Sequence, residues 1–223
     1  NALKDGLVLE DRLGTNPFVM GFLGGAYTLM AAPGSAEEDN YVGHLGRRDA
    51  EYTNVQDHFY AHPGGHAVVW AEENSRDSIF AAIRRKETYA TSGTRPTLRF
   101  FAGDLDANLC QSPDMISDAY ANGVPMGGDI HRSEDGSPPA FLVNAQKDGG
   151  LPGNPGTDLQ RVQIVKGWVD ADGVDHEKVF DIAGDADNGA TVDPETCGRV
   201  GSGMQQSCTV WRDPEFNPNE DAF

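Results

Sequence analysis

The sequence predicts an α/β fold in two parts: strand–helix units over residues 1–95, followed by an antiparallel, β-rich domain over residues 96–223. Three observations lead to this prediction. Before residue 95, short apolar runs alternate with helical patterns, as in parallel βα units. After it, the apolar runs are separated by clusters of glycine, proline, aspartate and asparagine, which is typical of antiparallel sheets. A chain of 223 residues can also bury a substantial core.

The first part begins with a predicted amphipathic helix over about 2–13. This helix ends before Pro17, because proline disfavours helical geometry in the residue that precedes it. The next run, 18–24, is short and almost wholly apolar, so we expect a strand that is buried on both faces of a parallel sheet. Ser35 and Glu38 have the spacing of a capping box and predict the start of a second helix.

A long loop over about 44–66 precedes the last strand and helix of this part. Loops of this length are usually functional lids or disordered segments. The strand is predicted over 67–71 and the helix over about 75–86, with Asn74 or Ser75 as its N-cap. Apolar residues recur along this helix with helical spacing and form one face. That face holds Ile79, Phe80 and Ile83.

The second part is predicted to contain five strands, each ended by turn-forming residues. Asp170–Gly173 lies between two of these strands and predicts a hairpin turn. The predicted strands are 98–101, 140–143, 159–169, 177–182 and 208–211.

The charge balance argues against two classes of partner. The chain has 35 acidic and 17 basic residues, which gives a net charge of −18. Without a basic stripe or tail, we expect neither a nucleic acid nor an anionic membrane as a partner. The chain also has no apolar run long enough to cross a bilayer, so we expect no membrane insertion.

The three cysteines bear on the compartment. Cys197 and Cys208 flank a loop rich in glycine and serine, a spacing that suits a disulfide between neighbouring strands. The alternative is two buried free thiols. Cys110 is left over, either to pair with a cysteine beyond Phe223 or to stay buried as a small apolar residue. A disulfide would indicate an oxidising compartment, so we expect a periplasmic or secreted protein, which the acidity also fits.

Four well-separated stretches give the chain a likeness to a known family. The stretches are NPF-x-M-GF-x-G at 16–24 continuing as AAPGSAEEDNY at 31–41, the segment 69–77 with 84–95, GVPMGGD at 123–129, and RVQIVKGWVDADG at 161–173. Through them the chain resembles the domain-of-unknown-function 3604 (DUF3604) family, which belongs to the PHP (polymerase and histidinol phosphatase) group of metal-dependent hydrolases.

The resemblance implies a fold and an activity. Residues 1–95 would be the last βα units of a distorted PHP-like barrel, and residues 96–223 an appended, sandwich-like β domain. The implied reaction is hydrolysis of a phosphoester-type bond of an unidentified small-molecule substrate by metal-activated water, with zinc, manganese or iron as the divalent metal. Because the family's barrel would extend beyond both ends of the sequence, we expect the chain to be part of a longer protein.

The family's metal site is altered in this sequence. Members have an Asp-x-His pair after the first apolar strand, and these positions correspond here to Tyr27 and Leu29. A phenol with an ordinary pKa of about 10 is a poor substitute for a carboxylate, and leucine has no ligand atom. We therefore assign no metal ligand to either residue and interpret the site as degenerate. The alternative is that these positions are assigned to the wrong residues, or that ligands upstream of this sequence dominate.

Three residues are the best candidates to line a substrate site. Thr28 lies at the altered motif, Glu72 follows a predicted strand as a candidate ligand, acid or base, and Arg95 is a candidate anion contact. Each has a simpler interpretation. Glu72 suits the first turn of a helix, where the dipole favours acidic residues, and the stretch 88–95 suits an ordinary connection between a helix and a strand.

Two further patterns are weak indications of metal binding. His62 and His66 lie four residues apart, but the intervening Pro-Gly-Gly excludes a helix that would bring them together. Asp170–Gly173 and Asp185–Gly189 are similar to calcium loops but lack the terminal glutamate, so a turn and an acidic loop are the simpler interpretations.

The sequence is therefore compatible with two functions. The first is a PHP-like metal-dependent hydrolase that is inactive, or incomplete, as this chain alone. The second is a non-catalytic extracytoplasmic binding or structural protein. Self-association into a homo-oligomer is left open by both.

Overall fold

The computed structural model describes residues 2–25, 36–37, 40–41, 65–153, 155–196 and 198–223. Within these ranges the chain forms a mixed α/β fold in which every paired strand is antiparallel to its neighbour. No sheet in this part of the chain closes into a barrel. Helices occur here as well, but none of those described has the length and apolar character to cross a membrane.

In the first part of the chain, the described residues form two helices and four short strands. The predicted N-terminal helix is confirmed, and Ser75 is confirmed as the N-cap of the next helix, because its Oγ accepts a hydrogen bond from the Ser78 N–H at 3.2 Å. The elements are α1 (Ala2–Leu13), β1 (Ala36–Glu37), β2 (Asn40–Tyr41), β3 (Ala67–Val69), α2 (Arg76–Arg84) and β4 (Thr88–Ala90).

Two expectations for this part are wrong. The apolar run 18–24 forms no strand, and Phe22 is 62% exposed. Glycines interrupt the run and offer no side chain to pack, which weakens a strand. The helix expected from Ser35 is replaced by the pairing of β1 with β2, in which Ala36 lies opposite Tyr41. A capping-box spacing is a local signal, and strand pairing overrides it here.

The parallel βα arrangement is also wrong for the strands that the structure describes. β3 and β4 flank α2, but they pair antiparallel, with Ala67 opposite Ala90 and Val69 opposite Thr88. The order strand–helix–strand is compatible with either direction of pairing.

In the second part of the chain, all five predicted strands are confirmed. They are β5 (Thr97–Gly103), β7 (Ala140–Gln146), β8 (Arg161–Val169), β9 (Asp175–Gly184) and β12 (Gln206–Arg212). The remaining elements are a 3-10 helix (Leu109–Gln111), α3 (Met115–Asn122), β6 (Gly123–Pro125), β10 (Thr191–Val192) and β11 (Arg199–Val200).

A four-stranded sheet in the order β12–β7–β5–β6 organises this part. One face of the sheet packs against α3 and the 3-10 helix and forms the core. Alternation along the strands places Phe101 and Leu142, which are opposite each other, on this face. The other face is aromatic and packs against the β8–β9 hairpin, where the rings of Phe180 and Trp211 are 5.1 Å apart. The sheet is therefore covered on both faces.

The β8–β9 hairpin turns at the residues predicted for it. The Asp170 N–H donates to the Val174 carbonyl oxygen at 3.0 Å, and the Asp170 side chain accepts from the Val174 N–H at 2.9 Å. Asp170 thus works as a turn-forming residue.

The hairpin also contacts the segment after β12, because the Lys166 ammonium lies 2.5 Å from the buried Asp213 carboxylate.

Candidate functional site

Three of the four stretches that carry the family resemblance meet around Lys86. The Thr88 hydroxyl donates to the Phe22 carbonyl oxygen at 2.6 Å, which fixes the 16–24 stretch beside β4. Gly21 lies so close to Lys86 that a Cβ atom at Gly21 would be 2.7 Å from the Lys86 Cβ. A Cβ at Gly127, in the third stretch, would be 2.2 Å from the Lys86 carbonyl oxygen. Segments far apart in the sequence are therefore in contact at one turn.

This turn ends α2 and has an unusual backbone. Lys86 has a φ of 63° and is, among the described residues, the one non-glycine residue with a positive φ. The Lys86 N–H donates to the Ile83 carbonyl at 3.0 Å and the Glu87 N–H to the Ala82 carbonyl at 3.1 Å, which together form a Schellman motif. Glycine normally occupies this left-handed position, because a Cβ there is costly by roughly 1–2 kcal/mol. The motif turns the next side chain, Glu87, inward.

Glu87 is a buried carboxylate surrounded by donors, and only 3% of the residue is exposed. Tyr120 donates a short hydrogen bond from its hydroxyl to Oε1. The Arg85 Nη2 lies 3.2 Å from Oε2, and the Arg99 Nη1 lies 4.0 Å from Oε1 and donates to the Tyr120 hydroxyl at 3.0 Å. We call these four residues, together with Trp70, the Glu87 cluster.

Trp70 fixes the orientation of the Arg99 side chain. The Arg99 guanidinium carbon lies 3.2 Å from the centroid of the Trp70 ring, a cation–π contact. The Trp70 ring is held in turn by its Nε1–H, which donates to the Leu98 carbonyl oxygen at 3.0 Å. The Glu87 cluster therefore joins the β3–β4 pair to β5 and α3, across the predicted boundary at residue 95. The division into two domains stays a prediction.

The electrostatics of the Glu87 cluster keep Tyr120 a donor. Loss of hydration on burial is the main reason that the pKa of the Tyr120 phenol lies above its ordinary value, and the Glu87 carboxylate raises this pKa further. The phenol is therefore protonated at neutral pH. Both Glu87 oxygens already have partners, and two guanidinium groups balance the charge. This arrangement suits a rigid support better than a group that exchanges protons with a substrate.

The predicted substrate-lining residues fall on different parts of the structure. Glu72 is exposed in the turn before α2. Arg95 is exposed in the connection to β5, where its backbone N–H donates to the Asp148 carboxylate at 2.7 Å. Thr28, Tyr27 and Leu29 lie outside the described residues. The role of Thr28, Glu72 and Arg95 in substrate binding stays a prediction.

The described residues do not provide a metal site. Within them, no group of three or more His, Cys, Asp and Glu side chains could hold an ion. His62 of the histidine pair lies outside the described residues, and His66 donates its backbone N–H to Thr91 Oγ1 at 3.1 Å. At Tyr27 and Leu29 the chemistry of the side chains, a phenol and an alkyl group, does not fit a divalent metal.

The two acidic loops use their carboxylates to build turns. The Asp170 carboxylate accepts from the Asp172 N–H at 3.0 Å and lies 2.7 Å from His176 Nε2. The bond with His176 is the main reason that the pKa of the Asp170 carboxyl lies below its ordinary value. Asp185 accepts from the Asp187 N–H at 2.8 Å in the same way. These contacts agree with the interpretation of both segments as turns.

The structure corrects the predicted disulfide. Cys208 is bonded to Cys110, with Cα atoms 5.7 Å apart, so the pairing with Cys197 is wrong. Cys197 lies outside the described residues. The physical reason is the direction of β12: Cys208 faces the side of the sheet that packs against the 3-10 helix, and this helix carries Cys110.

Sequence reasoning missed the Glu87 cluster, although one signal for it was present. Arg99 interrupts the apolar run Leu98–Phe101, and alternation places it on the same face of β5 as the buried Phe101. A cation in a covered strand requires an acidic or aromatic partner. The sequence alone does not show that the partners come from β3, the α2 turn and α3.

Comparison with known proteins identifies one family. A protein-family model described as "Protein of unknown function (DUF3604)" matches residues 1–223, the whole of the printed sequence. The comparison with curated proteins and the comparison with solved structures each gave no match.

Proposed function

The chain belongs to the DUF3604 family, and from this premise we propose that it is part of a metal-dependent hydrolase of the PHP-like group that cleaves phosphoester-type bonds. The observation that supports the proposal is the family match over residues 1–223. The resemblance of this family to PHP hydrolases supplies the reaction class.

The contacts around Lys86 support a scaffold role for the described part of the chain. Three of the four stretches that carry the resemblance meet at this turn, and the Glu87 cluster holds the turn against β5 and α3. Gly25, the last described residue before Tyr27, lies against Gly65, since a Cβ at Gly65 would be 3.2 Å from the Gly25 carbonyl carbon. In this proposal the altered motif, with Thr28 as a lining residue, continues directly from the scaffold.

The proposal assigns metal binding to residues other than Tyr27 and Leu29. The sharpest test is therefore to restore the family's Asp-x-His pair at these two positions. The double variant Tyr27→Asp with Leu29→His places a carboxylate and an imidazole at the motif. We expect its affinity for zinc or manganese to exceed that of the natural chain by at least roughly tenfold. Even the loss of one residue that supports a metal ligand changes metal affinity by this factor.

The experiment measures metal content by mass spectrometry and hydrolysis of bis(4-nitrophenyl) phosphate after metal loading. The matched control, Leu13→Asp with Thr15→His, introduces the same pair with the same spacing where Leu13 is 72% exposed. We expect the control to behave as the natural chain, and turnover to rise in the motif variant. Absence of metal binding and of turnover in both the natural chain and the motif variant would overturn the hydrolase proposal.

That negative outcome would favour the second function, a non-catalytic extracytoplasmic binding or structural protein. The observation in its favour is the pair of side chains at the motif, a phenol and an alkyl group. Under either function we propose a periplasmic or secreted location. The support is the Cys110–Cys208 disulfide, because such bonds persist mainly in oxidising compartments.

A further inference from the structure

Lys166 is a cation on the covered face of the β8–β9 hairpin. Alternation along β8 leaves Val165 exposed and places Lys166 on the face that packs against the four-stranded sheet. Only 13% of the Lys166 side chain is exposed, and its Nζ lies 5.0 Å from the centroid of the Trp168 ring. Lys178 lies directly opposite in β9. Like charges at opposite positions of a strand pair are unfavourable, so Lys166 requires a compensating partner.

Asp213 is this partner, and its two carboxylate oxygens have different contacts. The Lys166 Nζ lies 2.5 Å from Asp213 Oδ2. Asp213 Oδ1 accepts a hydrogen bond from the Glu215 backbone N–H at 2.8 Å. Only 4% of the Asp213 side chain is exposed, so little water reaches the pair. The amine of one residue is therefore held against the carboxyl group of the other in a site that largely excludes water.

We propose that Lys166 and Asp213 condense to form an intramolecular isopeptide bond. Lys166 Nζ bonds to Asp213 Cγ, and the bond between Cγ and Oδ2 breaks. Two of the three ammonium hydrogens pass to Oδ2, which leaves as water, and the third stays on the amide nitrogen. Oδ1 becomes the carbonyl oxygen of the amide, and the Glu215 N–H stabilises the charge that develops on it during the attack. The reaction needs no other reactant.

The condensation removes two charges from a site where charge is unfavourable. In a buried ion pair, the loss of hydration offsets much of the attraction between the charges. An uncharged amide also ends the opposition of Lys166 to Lys178, while Lys178 keeps its ion pair with the Glu215 carboxylate. Groups held in contact react far faster than the same groups free in solution. Because the site largely excludes water, hydrolysis of the amide is disfavoured.

A second lysine–aspartate pair provides a matched comparison. The Lys147 Nζ lies 2.6 Å from Asp158 Oδ1, nearly the same separation, but 30% of the Asp158 side chain is exposed. Water can solvate this carboxylate, so its charge is not unfavourable and we expect an ordinary ion pair. Burial, rather than distance, distinguishes the pair of Lys166 with Asp213.

Mass spectrometry of the folded, purified chain tests the proposal, after denaturation and reduction of the disulfide. We expect a mass lower than that of the sequence by one water, and a tryptic map with a branched peptide that joins Lys166 to Asp213. Lys166→Arg keeps the positive charge but cannot form this amide, so its mass should equal that of its sequence. The matched control, Lys147→Arg, should lose one water as the natural chain does.

Circular dichroism checks that each variant is folded, and the peptide map of the natural chain decides the question if one is not. A folded natural chain of full mass, with no branched peptide, would overturn the proposal. A loss of water that persists in folded Lys166→Arg would also overturn it, as would a loss that maps to Asp172, where ring closure onto Gly173 also releases water. An equal yield of branched peptide at Lys147 and Asp158 would show that burial does not select the reacting pair.

Discussion

Glu87 shows how one buried charge can be accommodated in this fold. Removing a carboxylate from water is unfavourable by several kcal/mol unless hydrogen bonds and an opposite charge compensate it. Glu87 receives the Tyr120 hydroxyl hydrogen on one oxygen and an Arg85 N–H on the other, with Arg99 nearby. The arrangement is therefore stabilising only while all its members are present.

Substitution of Glu87 should be far more destabilising than substitution of an exposed glutamate. We expect Glu87→Gln to lower the free energy of unfolding by about 3 kcal/mol, because it leaves two guanidinium groups beside a neutral side chain. Tyr120→Phe should lower it by about 1.5 kcal/mol through one lost bond to a charged acceptor. Urea denaturation measures both changes.

Glu72→Gln is the control for this experiment, since Glu72 is exposed and the change should be within about 0.5 kcal/mol. A Glu87→Gln variant as stable as Glu72→Gln would mean that the Glu87 cluster does not join β4 to β5 and α3.

At the level of elements, the turn after α2 depends on a glycine in another segment. Lys86 adopts the left-handed conformation and presents its carbonyl oxygen to Gly127, which has a φ of 84°. A side chain at Gly127 would meet both an unfavourable φ and an occupied space. The stretch 123–129 and the end of α2 are therefore matched in shape.

Two alanine substitutions separate these effects. Gly136 has a similar φ of 72°, but nothing lies within 4 Å of the position its Cβ would take. We expect Gly136→Ala to destabilise the protein by roughly 1 kcal/mol, from backbone strain alone. Gly127→Ala should be destabilising by at least about 2 kcal/mol more, since it also forces the Lys86 carbonyl away. Equal melting temperatures for the two variants would contradict this close contact.

At the level of the whole molecule, one covalent bond ties distant parts of the second half together. Cys110 and Cys208 are 98 residues apart, and their bond attaches β12, at the edge of the four-stranded sheet, to the 3-10 helix that covers its core. Closing a loop of this length restricts the unfolded chain strongly. The bond therefore stabilises the packing of the sheet against its covering helices.

Loss of this disulfide should lower the free energy of unfolding by about 4 kcal/mol, the scale expected for a loop of about 100 residues. Urea denaturation with and without a reductant, and of Cys110→Ala with Cys208→Ala, measures the effect. Cys197→Ala is the control and should keep the full response to the reductant. A non-reducing peptide map that links Cys197 to Cys208 would show this pairing to be wrong.

The sequence by itself determined the elements whose signals lie within a few residues. α1 ends before Pro17, α2 begins at the Ser75 cap, and apolar runs bounded by turn-forming residues predict β5, β8 and β9. It also determined the family, because the family model matches residues 1–223. These features depend on periodicity, capping and local order, which a short window of residues contains.

The tertiary structure alone decided what pairs with what. Glu87 and Tyr120 are 33 residues apart, and Cys110 and Cys208 are 98 apart. β3 and β4 pair antiparallel, whereas their order in the chain suggested parallel units. The physical reason is that partner choice depends on how the chain turns between segments, as at Lys86, and on which face of a strand is covered. A local pattern specifies an element and its faces, but packing selects the neighbour.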